Sequence, residues 1–261
     1  MKINRRVFVS AAIGCCLSGP FAFAASPSGA SPDEVIAAAA EADKLVYVFF
    51  HRGKDPRTDA MFGAIKGVVG QYPDHSTWAS VQLTDAAGKD IAERYQVTRA
   101  PMPLVLALHP NGAVIGVYPT KVSESQLVEC FVTHTQAECL KQLQEQRMVL
   151  LCLQSSPDAK LPRGVTQFTK DPHYASRCQI VTLQVSDPDE AAFLEKLEID
   201  PSRADGTTVF FAPPGVLVGK YAANVTKDKL SSELAAAGKC CDDENCKHNK
   251  AKAKKTAGSG Q

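Results

Sequence analysis

The sequence predicts an α/β protein in which one layered unit is written twice, and three observations predict it. The first is an internal repeat. Gly112 to Leu127 (GAVIGVYPTKVSESQL) aligns without gaps on Gly215 to Leu230 (GVLVGKYAANVTKDKL), with identities at Gly112/Gly215, Gly116/Gly219, Tyr118/Tyr221, Val122/Val225 and Leu127/Leu230. The second is that the upstream segment repeats too. Val81 to Val97 has its counterpart in Thr182 to Ile199, where Asp85 falls on Asp187, Ile91 on Phe193, Tyr95 on Leu197 and Val97 on Ile199. The third is periodicity: continuous apolar runs of strand type, Lys44 to Phe50 (KLVYVFF) and Met148 to Leu153 (MVLLCL), open the two copies.

The remaining elements follow in order in the first copy. A helix is predicted after Asp55-Pro56, where Met61, Ile65 and Val69 recur at four-residue intervals. A strand ends at Leu83, and a short helix runs from about Asp85 to Arg94. Leu104 to Leu108 and Ala113 to Tyr118 are two strands around Pro110-Asn111-Gly112, whose Asn-Gly favours a hairpin. A last helix starts near Ser123, an N-cap residue type, and runs toward Thr133. The order β-α-β-α-β-β-α, parallel strands first and hairpin last, is that of an α/β layer protein.

The ends read differently. Lys2, Arg5 and Arg6 precede a short apolar stretch from Val7 to Leu17, and Ala22-Phe23-Ala24 supplies the small residues of a cleavage site, so residues 1–24 read as a secretory signal. Arg5-Arg6-Val7-Phe8 also fits a twin-arginine signal. The expected organisation is signal 1–24, a Ser/Pro/Gly linker 25–33, units at 34–144 and 145–238, and a Cys/His- and Lys-rich flexible tail 239–261. The expected location is periplasmic or secreted. The whole chain has 29 Lys and Arg against 28 Asp and Glu, and losing the three signal cations leaves two more acidic than basic residues. That balance argues no nucleic-acid footprint. No later apolar run reaches the length of a membrane span.

Ala100-Pro101-Met102-Pro103, followed by the strand Leu104 to Leu108 and the turn at Gly112, resembles a segment of the thioredoxin superfamily. Together with the element order, this makes the chain similar to tandem thioredoxin-like domains, each a mixed sheet flanked by helices. The resemblance implies a cis-proline just before the first hairpin strand. Counting back from Gly112 puts it at Pro103, whereas counting from Val97 would suit Pro101; Pro103 is favoured. It also implies that the preceding residue, Met102, presents free backbone groups to an extended peptide. Met102 and Pro103 are the expected peptide-binding edge.

Active members of that superfamily carry Cys-x-x-Cys where the first strand meets the first helix, whose N-terminus stabilises the thiolate. The corresponding stretch here is His51-Arg52-Gly53-Lys54-Asp55-Pro56-Arg57, and in the second copy Gln154-Ser155-Ser156-Pro157-Asp158-Ala159. Neither contains sulfur. His51, Arg52, Gly53, Asp55 and Pro56 therefore mark a degenerate active-site position, and dithiol chemistry there is not expected. A His51–Asp55 acid–base pair is the catalytic alternative, and Asp55 as a helix cap the structural one. His75, His109, His134 and His173 stand alone in the sequence.

Removing Cys15 and Cys16 with the signal leaves seven cysteines, an odd number. Cys152 lies in an apolar strand and Cys178 precedes one. Cys130 and Cys139 are nine apart, and a disulfide between them requires the chain to turn back. If the segment stays helical they stand about 13.5 Å apart along the axis, too far to bridge. Cys240, Cys241, Cys246 and His248 place four soft or borderline donors within nine residues, a set that suits Zn or Cu(I), although the spacing is not that of a zinc knuckle. The sequence thus supports an exported, redox-inactive tandem unit binding a protein or peptide partner. The alternative is soft-metal or thiol handling at the C-terminal cluster.

Overall fold

The computed structural model describes residues 30–238. The expected export signal, residues 25–29 of the linker and the tail with its cysteine cluster lie outside the described residues. The chain forms two four-stranded sheets of the same design. In the first unit, α1 (Pro32–Glu41), β1 (Leu45–His51), α2 (Pro56–Gln71), β2 (Ser76–Gln82), α3 (Ala86–Arg94), β3 (Leu104–Leu108), β4 (Val114–Pro119) and α4 (Glu124–Val128) follow one another. The second has α5 (His134–Gln144), β5 (Met148–Gln154), α6 (Arg163–Lys170), β6 (Cys178–Gln184), α7 (Ala191–Lys196), β7 (Thr208–Ala212), β8 (Val216–Tyr221) and α8 (Lys227–Ala237). The strand orders are β2-β1-β3-β4 and β6-β5-β7-β8. In each sheet the first pair is parallel and the other pairings are antiparallel.

The uninterrupted apolar runs are explained by where these strands sit. Side chains alternate across a sheet, and both faces of each central strand are covered. Val46, Val48 and Phe50 of β1 pack with Ala39 of α1 and Ile91 of α3; Leu45, Tyr47 and Phe49 pack with Met61 and Ile65 of α2 and Leu127 of α4. β5 does the same. Val149, Leu151 and Leu153 meet α5 and α7, while Met148, Leu150 and Cys152 meet Phe168 of α6 and Leu230 of α8.

The repeat extends to backbone detail. Non-glycine residues take a left-handed conformation at matching places, Asp43 (φ 55°) with Gln146 (62°) and Gln96 (56°) with Glu198 (51°). Each follows a helix whose last carbonyls are closed by the same bond pattern, such as Val97 N–H to Ala92 O and Ile199 N–H to Leu194 O. Register slips recur at Ala107/Leu108 and Phe210/Phe211. The Gly-x-Tyr identity has a steric origin. The ring of Tyr118 folds back over Gly116, where a Cβ would stand 2.6 Å from it, and Tyr221 treats Gly219 in the same way at 2.5 Å.

Three sequence expectations are corrected. The linker expected through Asp33 ends earlier, because Ser31 and Glu34 form a capping box and Pro32 opens α1. The unit boundary expected after Gln144 lies before α5, whose Cys139 and Leu143 are part of the second core. That placement also removes the expected Cys130–Cys139 disulfide. Both are buried free thiols, Cys130 in the α2–α4 layer of the first unit and Cys139 in the second.

Candidate functional site

The C-terminal end of β1 lies beside the N-terminal end of β3, with Phe50 paired to Leu104. Loops 52–55 and 100–103 therefore meet at one end of the sheet. They enclose a hollow of about 320 Å³ lined by Arg52, Asp55, Thr58, Ala100, Pro101, Met102 and Pro103. A second hollow, about 470 Å³, continues past Met102 and Pro103 to Pro56 and Arg57. The Met102–Pro103 peptide bond is cis. Pro101 and Pro103 carry no N–H, so Met102 supplies the one amide donor of the triplet. Neither its N–H nor its C=O has a hydrogen-bond partner among the described residues.

Asp55 is the N-cap of α2. One carboxylate oxygen accepts from the Arg57 and Thr58 amides at 2.9 Å each, and the other accepts from the Thr58 hydroxyl at 3.0 Å. Those bonds, led by the Thr58 amide, hold its carboxyl below the usual carboxylate range. A depressed folded pKa means stability present above the unfolded value and lost as pH falls through the folded one. Asp55→Asn is therefore expected to keep most of the cap at neutral pH while flattening the acid limb of the pH–stability curve, and Asp55→Ala to lower the melting temperature at pH 7. Thermal melts between pH 2 and 7 measure both.

His51 is not part of this arrangement. Its Nε2 lies 2.9 Å from Ser80 Oγ and its ring stacks on Phe49 at 5.3 Å. Its buried Nδ1 has no hydrogen-bond partner among the described residues. With Asp55 committed to the cap and His51 turned toward β2, the two do not form an acid–base pair. Gly53 is not sterically required, since a Cβ there meets nothing within 4 Å. None of the four described cysteines lines the hollows. Burial pushes Cys139 up to about 12 and Cys152 and Cys178 up to about 11, and it raises Cys130 as well. These thiols stay protonated and unreactive at neutral pH.

The second unit closes the same edge. The Gly206 N–H bonds to Leu153 O at 2.9 Å, Leu153 N–H to Thr207 O at 2.8 Å, and the Asp205 carboxylate accepts from the Ser155 amide at 2.8 Å. An open edge before the hairpin is thus a property of the first unit. Cys240, Cys241, Cys246 and His248 lie outside the described residues. Among the described residues no group of three or more His, Cys, Asp or Glu is arranged to hold a metal, and no helix is long and apolar enough to cross a membrane. Sequence reasoning missed one feature: His109 and His134, isolated in the sequence, meet edge to face at 5.0 Å. Only the position of α5 against the first unit brings them together.

No protein-family model matches the chain, and no curated protein matches it. Among solved structures it is similar to the germline-specific thioredoxin Deadhead of Drosophila melanogaster, at 17% identity and a TM-score of 0.31, over 38% of this chain and 90% of that one. The thioredoxin of Fasciola hepatica matches with the same identity, score and coverage. Human ERp44 matches at 12% identity and a TM-score of 0.33, over 80% of this chain and 55% of its own. The strand order, pairing sense and helix placement of both units fit the arrangement that the sequence resemblance implies, and these structural neighbours are thioredoxins and ERp44.

Proposed function

We propose that this chain is an exported, redox-inactive tandem thioredoxin-like protein that binds an extended protein or peptide segment at Met102. The observation that carries the reading is the unpaired amide and carbonyl of Met102, flanked by hollows and with no described thiol beside them. An extended chain can satisfy both groups as an added strand, and a flexible thioether makes a permissive side-chain contact. The guanidinium of Arg52 and the α2 cap frame the hollow but supply no nucleophile.

The test is selection of a random linear peptide library on the purified protein, followed by solvent-exchange measurement at the Met102 amide. The best binder should slow that exchange at least tenfold, while the protein shows no dithiol turnover with insulin. Failure to select any linear peptide, or a binder that leaves the Met102 amide untouched, contradicts the reading. The second reading assigns soft-metal handling to Cys240, Cys241, Cys246 and His248. It rests on their donor chemistry and is read out as Zn or Cu(I) uptake by the reduced protein, with protons released on binding.

A further inference from the structure

The two units meet around a groove of about 910 Å³ that shares no lining residue with the hollows at Met102. Its apolar side includes Val128 and Phe131, and Tyr72 stands against Phe131 with ring centroids 5.2 Å apart. Tyr72 is 37% exposed, so its ring is open to a ligand in the groove. Asp43, Asp187, Asp189 and Glu190 also line the groove, and among the described residues no Lys or Arg does. Asp43 faces His134 at 3.3 Å, and Glu190, only 6% exposed, accepts from the Thr133 hydroxyl at 2.9 Å through one oxygen.

His109 supplies a second and independent observation. It lines the groove at 7% exposure, and Asn111 engages its Nδ1 through the side-chain oxygen at 3.1 Å and the amide nitrogen at 3.3 Å. Its Nε2 has no hydrogen-bond partner among the described residues. Burial, opposed by Asn111, holds this imidazole's pKa below the ordinary histidine value. A recess lined by four carboxylates and by His75, His109 and His134, with no Lys or Arg among the described residues, concentrates acidic groups and favours positive charge. Burying a carboxylate such as Glu190 without a cation is costly, and aromatic faces add cation–π attraction. The volume is that of a small-molecule site, and junctions between units are where such sites concentrate.

We propose that this groove binds a small organic ammonium ion, with the protonated amine toward Asp189 and Glu190 and the apolar body against Phe131 and Tyr72. The site is independent of the peptide edge, and either can fail without the other. The probe is phenethylamine, titrated calorimetrically into the purified protein at pH 7.5 in 20 mM and 500 mM salt, with 2-phenylethanol as the uncharged match. Phenethylamine should bind at least tenfold more tightly than the alcohol, and the difference should shrink in high salt. Asp189→Asn should weaken amine binding about tenfold without moving the melting temperature, because no hydrogen bond to that carboxylate is present among the described residues. Glu190→Gln should weaken it at least as much. Equal affinity for amine and alcohol, no binding of the amine, or an affinity unchanged by Asp189→Asn overturns the proposal.

Discussion

Gly164→Ala is expected to destabilise the second unit by about 2–3 kcal/mol, although alanine is the better helix former by about 1 kcal/mol. Gly164 is the second residue of α6, and a Cβ there would collide with the carbonyl oxygen of Val225 and stand 2.8 Å from the Thr226 carbonyl carbon. Both are backbone atoms. The Val225 amide is bonded to Ala222 O, and Thr226 caps α8, so the segment cannot slide away cheaply. The steric cost therefore exceeds the propensity gain. The single tryptophan, Trp78, lies on β2, so its fluorescence reports the first unit while circular dichroism reports both. Gly164→Ala should lower part of the dichroism transition and leave the fluorescence transition near its original midpoint. An unchanged dichroism melt would show that α6 and α8 do not touch there.

Phe50→Ala is expected to do the reverse, at a cost of about 3–5 kcal/mol. Phe50 is fully buried and packs with Leu104, Leu106 and Ile91 between the sheet and α3. The cavity left behind cannot be filled by strand neighbours held in register. The fluorescence midpoint should fall sharply, with the second unit's share of the dichroism transition retained. Because Phe50 pairs with Leu104, the change should also loosen the residues around Met102 and weaken peptide binding. A variant that melts like the parent would contradict the layer assignment of β1.

Much of this architecture was legible in the residues. The runs at Leu45 to Phe50 and Met148 to Leu153 are apolar on both faces, which in a strand this short means burial on both sides. The Gly-x-Tyr repeat has a structural counterpart, since in both units the tyrosine side chain lies over the glycine. α1 and α5 were harder to place. Their starts are set by the Ser31–Glu34 and Thr133–Gln136 caps, and a cap signal in a Ser- or Thr-containing loop is weak without knowing what the helix packs on. Missing α5 displaced the unit boundary and made a Cys130–Cys139 bridge look reachable. The groove at the junction was not legible at all, since its lining comes from five separated stretches that only the docking of two units assembles.

The central claim, a thioredoxin-like edge that binds an extended segment without dithiol chemistry, is tested most directly by photo-crosslinking. The chain has four methionines, of which Met61 is 1% and Met148 7% exposed, Met1 lies outside the described residues, and Met102 borders the hollow. Protein made with photo-methionine and irradiated with a library-selected linear peptide should give an adduct mapped by mass spectrometry to residue 102. Tight peptide binding with adducts absent from residue 102 would contradict the account.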